Sequence, residues 1–218
     1  MSKRLFSLLA ELFFTASALV LLFLVYQLWF TTEVAKLQQS QVASAVLSQI
    51  ESTEQPSELP PTPTLMETES ITGVGLLYIP RLQDQVWGLP IVSGTDARAL
   101  SLGVGHYLKT ELPGQVGNFS IAGHRATNGE PFAYFENLQS GDLVYVQTNA
   151  GWFTYELVQN QKIQETEVWV LDDDPIGLGE QKLITLTTCD PRWNSTRRWA
   201  WWGVLKDASA QAPAEVRD

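Results

Sequence analysis

The sequence predicts a mainly β protein: an eight-stranded, closed or nearly closed β-barrel with short helices, preceded by one N-terminal transmembrane helix. Three observations lead there. The nineteen residues from Leu12 to Phe30 are uncharged and mostly apolar, long enough to cross a hydrocarbon core. Downstream, short β-branched and aromatic runs are punctuated by Gly, Pro, Asn and Asp turn signals. Only two brief stretches of that region favour a helix, and many short strands with few helices fit a barrel.

At the N-terminus, Lys3 and Arg4 precede an apolar segment, Leu5 to Phe30, interrupted only by Glu11. Basic residues before the span favour a cytoplasmic tail, residues 1–4, with the remainder exported. Tyr26 and Trp29 fall near the far end, where aromatic rings suit the membrane interface. No small-x-small site directly follows Phe30, and the stretch is long for a signal-peptide core, so residues 5–30 read as an uncleaved anchor. Residues 31–55 are polar with scattered apolar positions (Val34, Leu37, Val42, Val46, Leu47, Ile50) and read as a helical stalk extending the anchor. Residues 56–64, Pro-Ser-Glu-Leu-Pro-Pro-Thr-Pro-Thr, form a stiff spacer. The stalk and Pro-rich linker thus span 31–72. Residues 73–206 suffice for one sizeable core. The Ala-, Pro- and charge-rich residues 207–218 are expected to be disordered.

Within 73–206 the patterns predict strands at Gly75–Ile79, Val86–Ile91, Asn118–Ala122, Leu143–Thr148, Trp152–Gln159, Lys162–Trp169, Lys182–Thr188 and Arg198–Leu205. Asn149-Ala150-Gly151 reads as a tight hairpin. Helical pieces fit Asp96–Leu102, with Thr95 as N-cap, and Pro131–Leu138, with Pro131 at the first helical position.

The chain carries a net charge of −10; the first thirty residues contribute +1 (Lys3, Arg4, Glu11), leaving −11 for residues 31–218. An acidic exported domain is a poor partner for nucleic acid or anionic lipid. The one cysteine, Cys189, has no partner for an intramolecular disulfide. It ends the β-branched run Leu183-Ile184-Thr185-Leu186-Thr187-Thr188 and is followed by Asp190-Pro191 and a polar, arginine-bearing stretch. A lone cysteine is commonly a small buried hydrophobe. A thiol at a strand end beside a solvent-facing loop departs from that pattern. There are only two histidines, His106 and His124. His124 ends the run Ser120-Ile121-Ala122-Gly123, also a strand end, whereas His106 reads as structural. Arg192, Arg197 and Arg198 follow the cysteine. Thiol, imidazole and guanidinium are the groups needed to attack a carbonyl carbon and hold its oxyanion.

Gly105-His106-Tyr107, Leu112-Pro113-Gly114-Gln115, Gly117-Asn118, Ile121-Ala122-Gly123-His124-Arg125 and Pro131-Phe132 occur in that order. Thr185-Leu186-Thr187-Thr188-Cys189 and then an arginine follow. This arrangement resembles the sortase family of cysteine transpeptidases, most closely its class E branch, over residues 73–206. The anchor and linker match the family's usual organisation. The resemblance implies an eight-stranded sortase barrel that cleaves an LPxTG- or LAxTG-like sorting signal between Thr and Gly. Cys189 would be the nucleophile forming a thioester acyl-enzyme. His124 would protonate the leaving amine and then serve as base for the incoming one. Arg198 matches the family's arginine by spacing and would hold the oxyanion; Arg197, its neighbour, should point to the opposite face. Thr188 would help shape the substrate groove, and Trp193 would contact substrate. The partners implied are secreted proteins bearing a sorting signal, an amine from a cell-wall precursor or a pilin-like lysine, and the bilayer. No cofactor and no metal is called for, and Asp172-Asp173-Asp174 reads as a solvated acidic loop.

Two departures from the class E pattern stand out. Ala126-Thr127-Asn128-Gly129 replaces the usual aromatic-glycine run after His-Arg, and Asp190 stands where a histidine is common. An acidic side chain beside the thiol would disfavour the thiolate. Two other functions compete: a cysteine L,D-transpeptidase, disfavoured by the absence of a His-Gly-Cys cluster, and a non-catalytic envelope scaffold.

Overall fold

The computed structural model describes residues 3–26, 30–52, 65–67 and 72–217. Eight strands close into a barrel: β2 (Thr72–Tyr78), β3 (Trp87–Ser93), β4 (Val104–His106), β5 (Gly117–Ala122), β6 (Leu143–Thr148), β7 (Gly151–Gln164), β8 (Lys182–Asp190) and β9 (Arg197–Ser209). A two-residue strand, β1 (Met66–Glu67), adds to the edge of β2. The order around the barrel is β2-β3-β4-β5-β8-β9-β7-β6, and β6 pairs back onto β2 through Leu76–Tyr78 and Tyr145–Gln147. Closure removes the unpaired edges that an open sheet would expose.

The strand count matches the prediction, but its membership differs at two places. Lys162–Trp169 is not a separate strand. β7 runs unbroken from 151 to 164, and a register shift against β9 between Leu157 and Gln159 bends it where the polar Asn160-Gln161 suggested a break. Trp169 lies beyond it in a 3-10 turn, Trp169–Leu171. Conversely β4, only three residues long, gave no alternation to read. It pairs parallel to β3 and antiparallel to β5. Its Gly105 has no side chain for a reason: a Cβ there would sit 2.3 Å from the Gly94 carbonyl oxygen.

Alternation along β8 and β9 sorts side chains between two layers. Ile184, Leu186 and Trp201 enter the barrel core with Phe119, Ile121, Phe132, Phe135 and Tyr155, and Trp199 packs against it. Ala200 and Trp202 face outward into a second cluster with Ile163 and Val170.

Helix α1 (Lys3–Val25) is mostly apolar with none of its Arg4–Val25 stretch buried, and that stretch has a mean hydropathy of 2.4, enough to span a bilayer by length and composition. Residues 27–29 of the expected anchor and 56–64 of the Pro-rich spacer lie outside the described residues. Helix α2 (Thr31–Ser52) corrects the stalk expectation. It lies on the barrel instead of extending away from it. Ala35, Gln39, Val46 and Ile50 recur on one helical face and are buried. Val46 and Ile50 pack with Leu76, Tyr78, Tyr145 and Trp152. The expected tail from 207 also has structure: residues 207–209 continue β9, and Ala212 and Val216, in and before α4 (Ala214–Arg217), rest on the same cluster.

Helix α3 (Ala97–Leu102) starts one residue late, capped by Asp96 rather than Thr95. The Asp96 carboxylate accepts from the Arg98 and Ala99 amides at 2.9 and 3.0 Å. Pro131–Leu138 forms turns and a 3-10 segment, Phe135–Asn137, instead of an α-helix. Phe132, Phe135 and Leu138 are buried at three-residue spacing, which a 3-10 turn satisfies.

Candidate active site

Three neighbouring strands deliver the three sequence-predicted catalytic side chains to one end of the barrel. β5 and β8 are parallel, with Ala122 opposite Thr187. The contact continues past the ladder: the Gly123 amide donates to the Thr187 carbonyl at 3.0 Å, and the Thr188 hydroxyl donates to the Gly123 carbonyl at 2.7 Å. Carried on by two residues, this register sets His124 beside Cys189. On the other flank, β8 and β9 are antiparallel, and Cys189 pairs directly with Arg198. Directly opposed residues share a face, so Arg198 lies on the thiol's side and Arg197, opposite Asp190, on the other. Adjacent strands are about 4.8 Å apart.

Gly123 sets the approach of His124 to the core. A Cβ there would meet the Phe132 ring at 2.6 Å, while the Phe132 amide donates to the His124 carbonyl at 3.0 Å. The His124 Nε2 contacts the Asn128 side-chain amide at 3.1 Å. Burial lowers the His124 pKa by disfavouring the imidazolium. His106 is structural: it is buried in β4, its Nε2 is within 3.0 Å of the Glu111 carbonyl, and its ring packs on Phe119.

The Cys189 side chain is half-buried, on the Thr187 face of β8. The Thr187 hydroxyl lies 3.1 Å from the Tyr107 hydroxyl. Arg198 Nη1 donates to the Ser195 and Arg197 carbonyls, and Nη2 reaches Glu165 at 3.4 Å. Thr188 departs from its expected place as a groove wall. Its side chain is 3 % exposed, turns toward the Trp199 side, and spends its hydroxyl on Gly123. It ties the histidine's loop to the cysteine's strand. Trp193 is 68 % exposed in the turn after Cys189, with the Arg192 guanidinium 5.0 Å from its ring centroid. Arg192 also pairs with Glu130, joining this turn to the loop after His124.

Asp190 does not confront the thiol. It faces the opposite side of β8, where it is 3 % exposed and meets three cations: Arg125 Nη1 at 2.9 Å, Arg197 Nη2 at 3.0 Å and Lys162 Nζ at 3.2 Å. Burial would push its carboxyl up, but the hydrogen bonds and charges of Lys162 and Arg125 outweigh that and hold it low. Arg125 also binds Glu136 at 2.9 Å and reaches the Cys189 carbonyl at 3.3 Å. The Arg125 guanidinium and the Lys162 ammonium both lie over the Trp199 ring, 5.2 and 4.4 Å from its centroid. Sequence reasoning missed this cluster. Arg125 adjoins His124, which is a signal of sorts, but Lys162 and Glu136 carry none. Asp174 accepts from the Leu178 and Gly179 amides and so organises its own loop.

Residues 77–206 match the sortase domain family, more than half of the chain. The chain belongs to that family, whose members are cysteine transpeptidases. It is 37% identical to sortase SrtE1 of Streptomyces coelicolor over 90% of this chain, though it spans only 56% of that relative's length. It is 30% identical to sortase SrtE2 of the same organism over 97% of this chain and 88% of that one. Among solved structures, sortase E1 from Streptomyces coelicolor with a tripeptide in the active site superposes with a TM-score of 0.60 at 37% identity, covering 66% of this chain and 96% of that one. Class E is thus the branch it most resembles.

Proposed function

We propose that this chain is a membrane-anchored, class-E-like sortase that cleaves an LPxTG- or LAxTG-like signal between Thr and Gly and transfers the threonyl group to an amine. The observation that carries the reading is that Cys189 lies between His124 and Arg198 at the ends of three adjacent strands. The Cys189 thiolate attacks the threonyl carbonyl carbon, and the Arg198 guanidinium holds the resulting oxyanion. The C–N bond to glycine then breaks as protonated His124 gives its proton to the leaving amine, leaving a thioester. An incoming amine, from a cell-wall precursor or a pilin-like lysine, loses a proton to His124 and displaces the Cys189 thiolate, restoring the starting thiolate and protonated histidine. Arg198 would exchange its weak, half-exposed pairing with Glu165 for the substrate. Trp193 would contact the peptide beside Cys189. Helix α1 would anchor the enzyme with its short N-terminus in the cytoplasm and the barrel outside.

The test is Cys189→Ala assayed with a fluorogenic sorting peptide. Loss of cleavage, with the acyl-enzyme absent from mass spectra, is expected. Retained activity would overturn the reading.

A further inference from the structure

Gln39 is a polar side chain buried where α2 meets the barrel, 6 % exposed and about two turns into the helix. Its Nε2 donates to two carbonyls, Ser101 at 3.2 Å and Asn128 at 3.0 Å. The second lies in the loop that follows His124. That loop passes through three successive left-handed residues, Asn128 (φ 51), Gly129 (φ 80) and Glu130 (φ 49). Such a path is unfavourable for non-glycine residues and needs outside contacts to persist. Gly129 fits it twice over: its φ is positive, and a Cβ there would sit 2.7 Å from Gln39 Oε1. The Asn128 side chain completes the connection at 3.1 Å from His124 Nε2.

From this chain of contacts we infer that Gln39 is a positioning residue for His124. The inference rests on the catalytic role proposed above for that histidine. Gln39 fixes the Asn128 backbone, and Asn128 fixes the ring. With the Asn128 amide donating, Nε2 is the acceptor and the neutral ring carries its proton on Nδ1. Part of the alignment of the histidine thus resides in α2, outside the barrel and next to the apolar helix. A glutamine serving only as helix packing would have no effect on that ring.

The experiment uses the full-length chain in detergent micelles, with Gln39→Ala, Gln39→Glu, Asn128→Ala and the Gln39→Ala/Asn128→Ala double variant. Only two histidines are present, so ring ¹⁵N spectra resolve both, with His106→Gln assigning them. The expected result is a shift of the His124 ring from one dominant tautomer toward a mixture in all four variants. Gln39→Glu, which keeps the shape but not the donor, should behave like Gln39→Ala. With a sorting peptide, kcat should fall about three- to tenfold with KM little changed, the effect of one lost orienting hydrogen bond. The double variant should be no worse than Asn128→Ala alone. An unchanged His124 tautomer, or additive losses in the double variant, would overturn the inference. Because the ring signal is read without turnover, it stands or falls apart from the proposed reaction, which Cys189→Ala tests.

Discussion

Removing the Asp190 carboxylate should cost stability more than any other single charge deletion near the site. The carboxylate and Arg125 are 3 % and 7 % exposed, so neither recovers its hydration when the other is lost. In Asp190→Ala, Arg125 keeps Glu136, the Cys189 carbonyl and the Trp199 ring, but loses its one buried carboxylate. Lys162 and Arg197 are less enclosed and rehydrate, so they add little. Breaking one buried pair in this way costs about 3–5 kcal/mol. For a domain of this size that lowers the melting temperature by roughly 6–20 °C, at about 2–4 °C per kcal/mol. The assay is urea unfolding of the full chain in detergent, followed by tryptophan fluorescence, since Trp199 packs against two of the cations. The pH dependence has a defined sign. The folded carboxyl titrates below its unfolded value, so its contribution is complete above about pH 4 and is lost as pH falls through the folded value. The gap between the two proteins should therefore be constant from pH 5 to about 8 and close in stronger acid. A gap under about 1 kcal/mol at pH 7, the worth of an exposed pair, would refute the claim that this cluster is sealed from solvent.

Two further outcomes follow from the register at the site. Arg198→Ala should lower kcat about 10²–10³-fold with the melting temperature nearly unchanged, whereas Arg197→Ala should leave kcat nearly unchanged and cost the fold no more than about 1 kcal/mol; steady-state kinetics separates them. Gly123→Ala must move the Phe132 ring or the His124 loop, since its Cβ would sit 2.6 Å from that ring. A loss of about 1–3 kcal/mol is expected from chemical denaturation, with reduced peptide cleavage.

The barrel was legible wherever a strand was long enough to alternate. β8 announced itself through its β-branched run, and β9 through its tryptophans, which divide between core and outer layer. β4 was not, because three residues cannot show a period and its place depends on two distant partners. Cys189, His124 and Arg198 could be nominated from sequence because each sits at or just beyond a strand end beside a family motif. Their alignment rests on the parallel β5–β8 register, which no local pattern encodes. Asp190 was misjudged for a related reason. Adjacency in sequence suggested repulsion of the thiol, yet in a strand the next residue points the other way. Its partners Arg125 and Lys162 come from other elements.

If α1 anchors the chain as proposed, the docking of α2 bears on how far the barrel stands from the bilayer. A helix clasped to the barrel at Ala35, Gln39, Val46 and Ile50 holds the segment that follows α1 against the same body as the catalytic strands. The proline-rich sequence that follows Ser52 joins two elements, α2 and β1, that both rest on the same body. With α1 embedded as proposed, α2 keeps the catalytic end close to the membrane surface, and the substrates within range are those whose scissile bond lies near that surface.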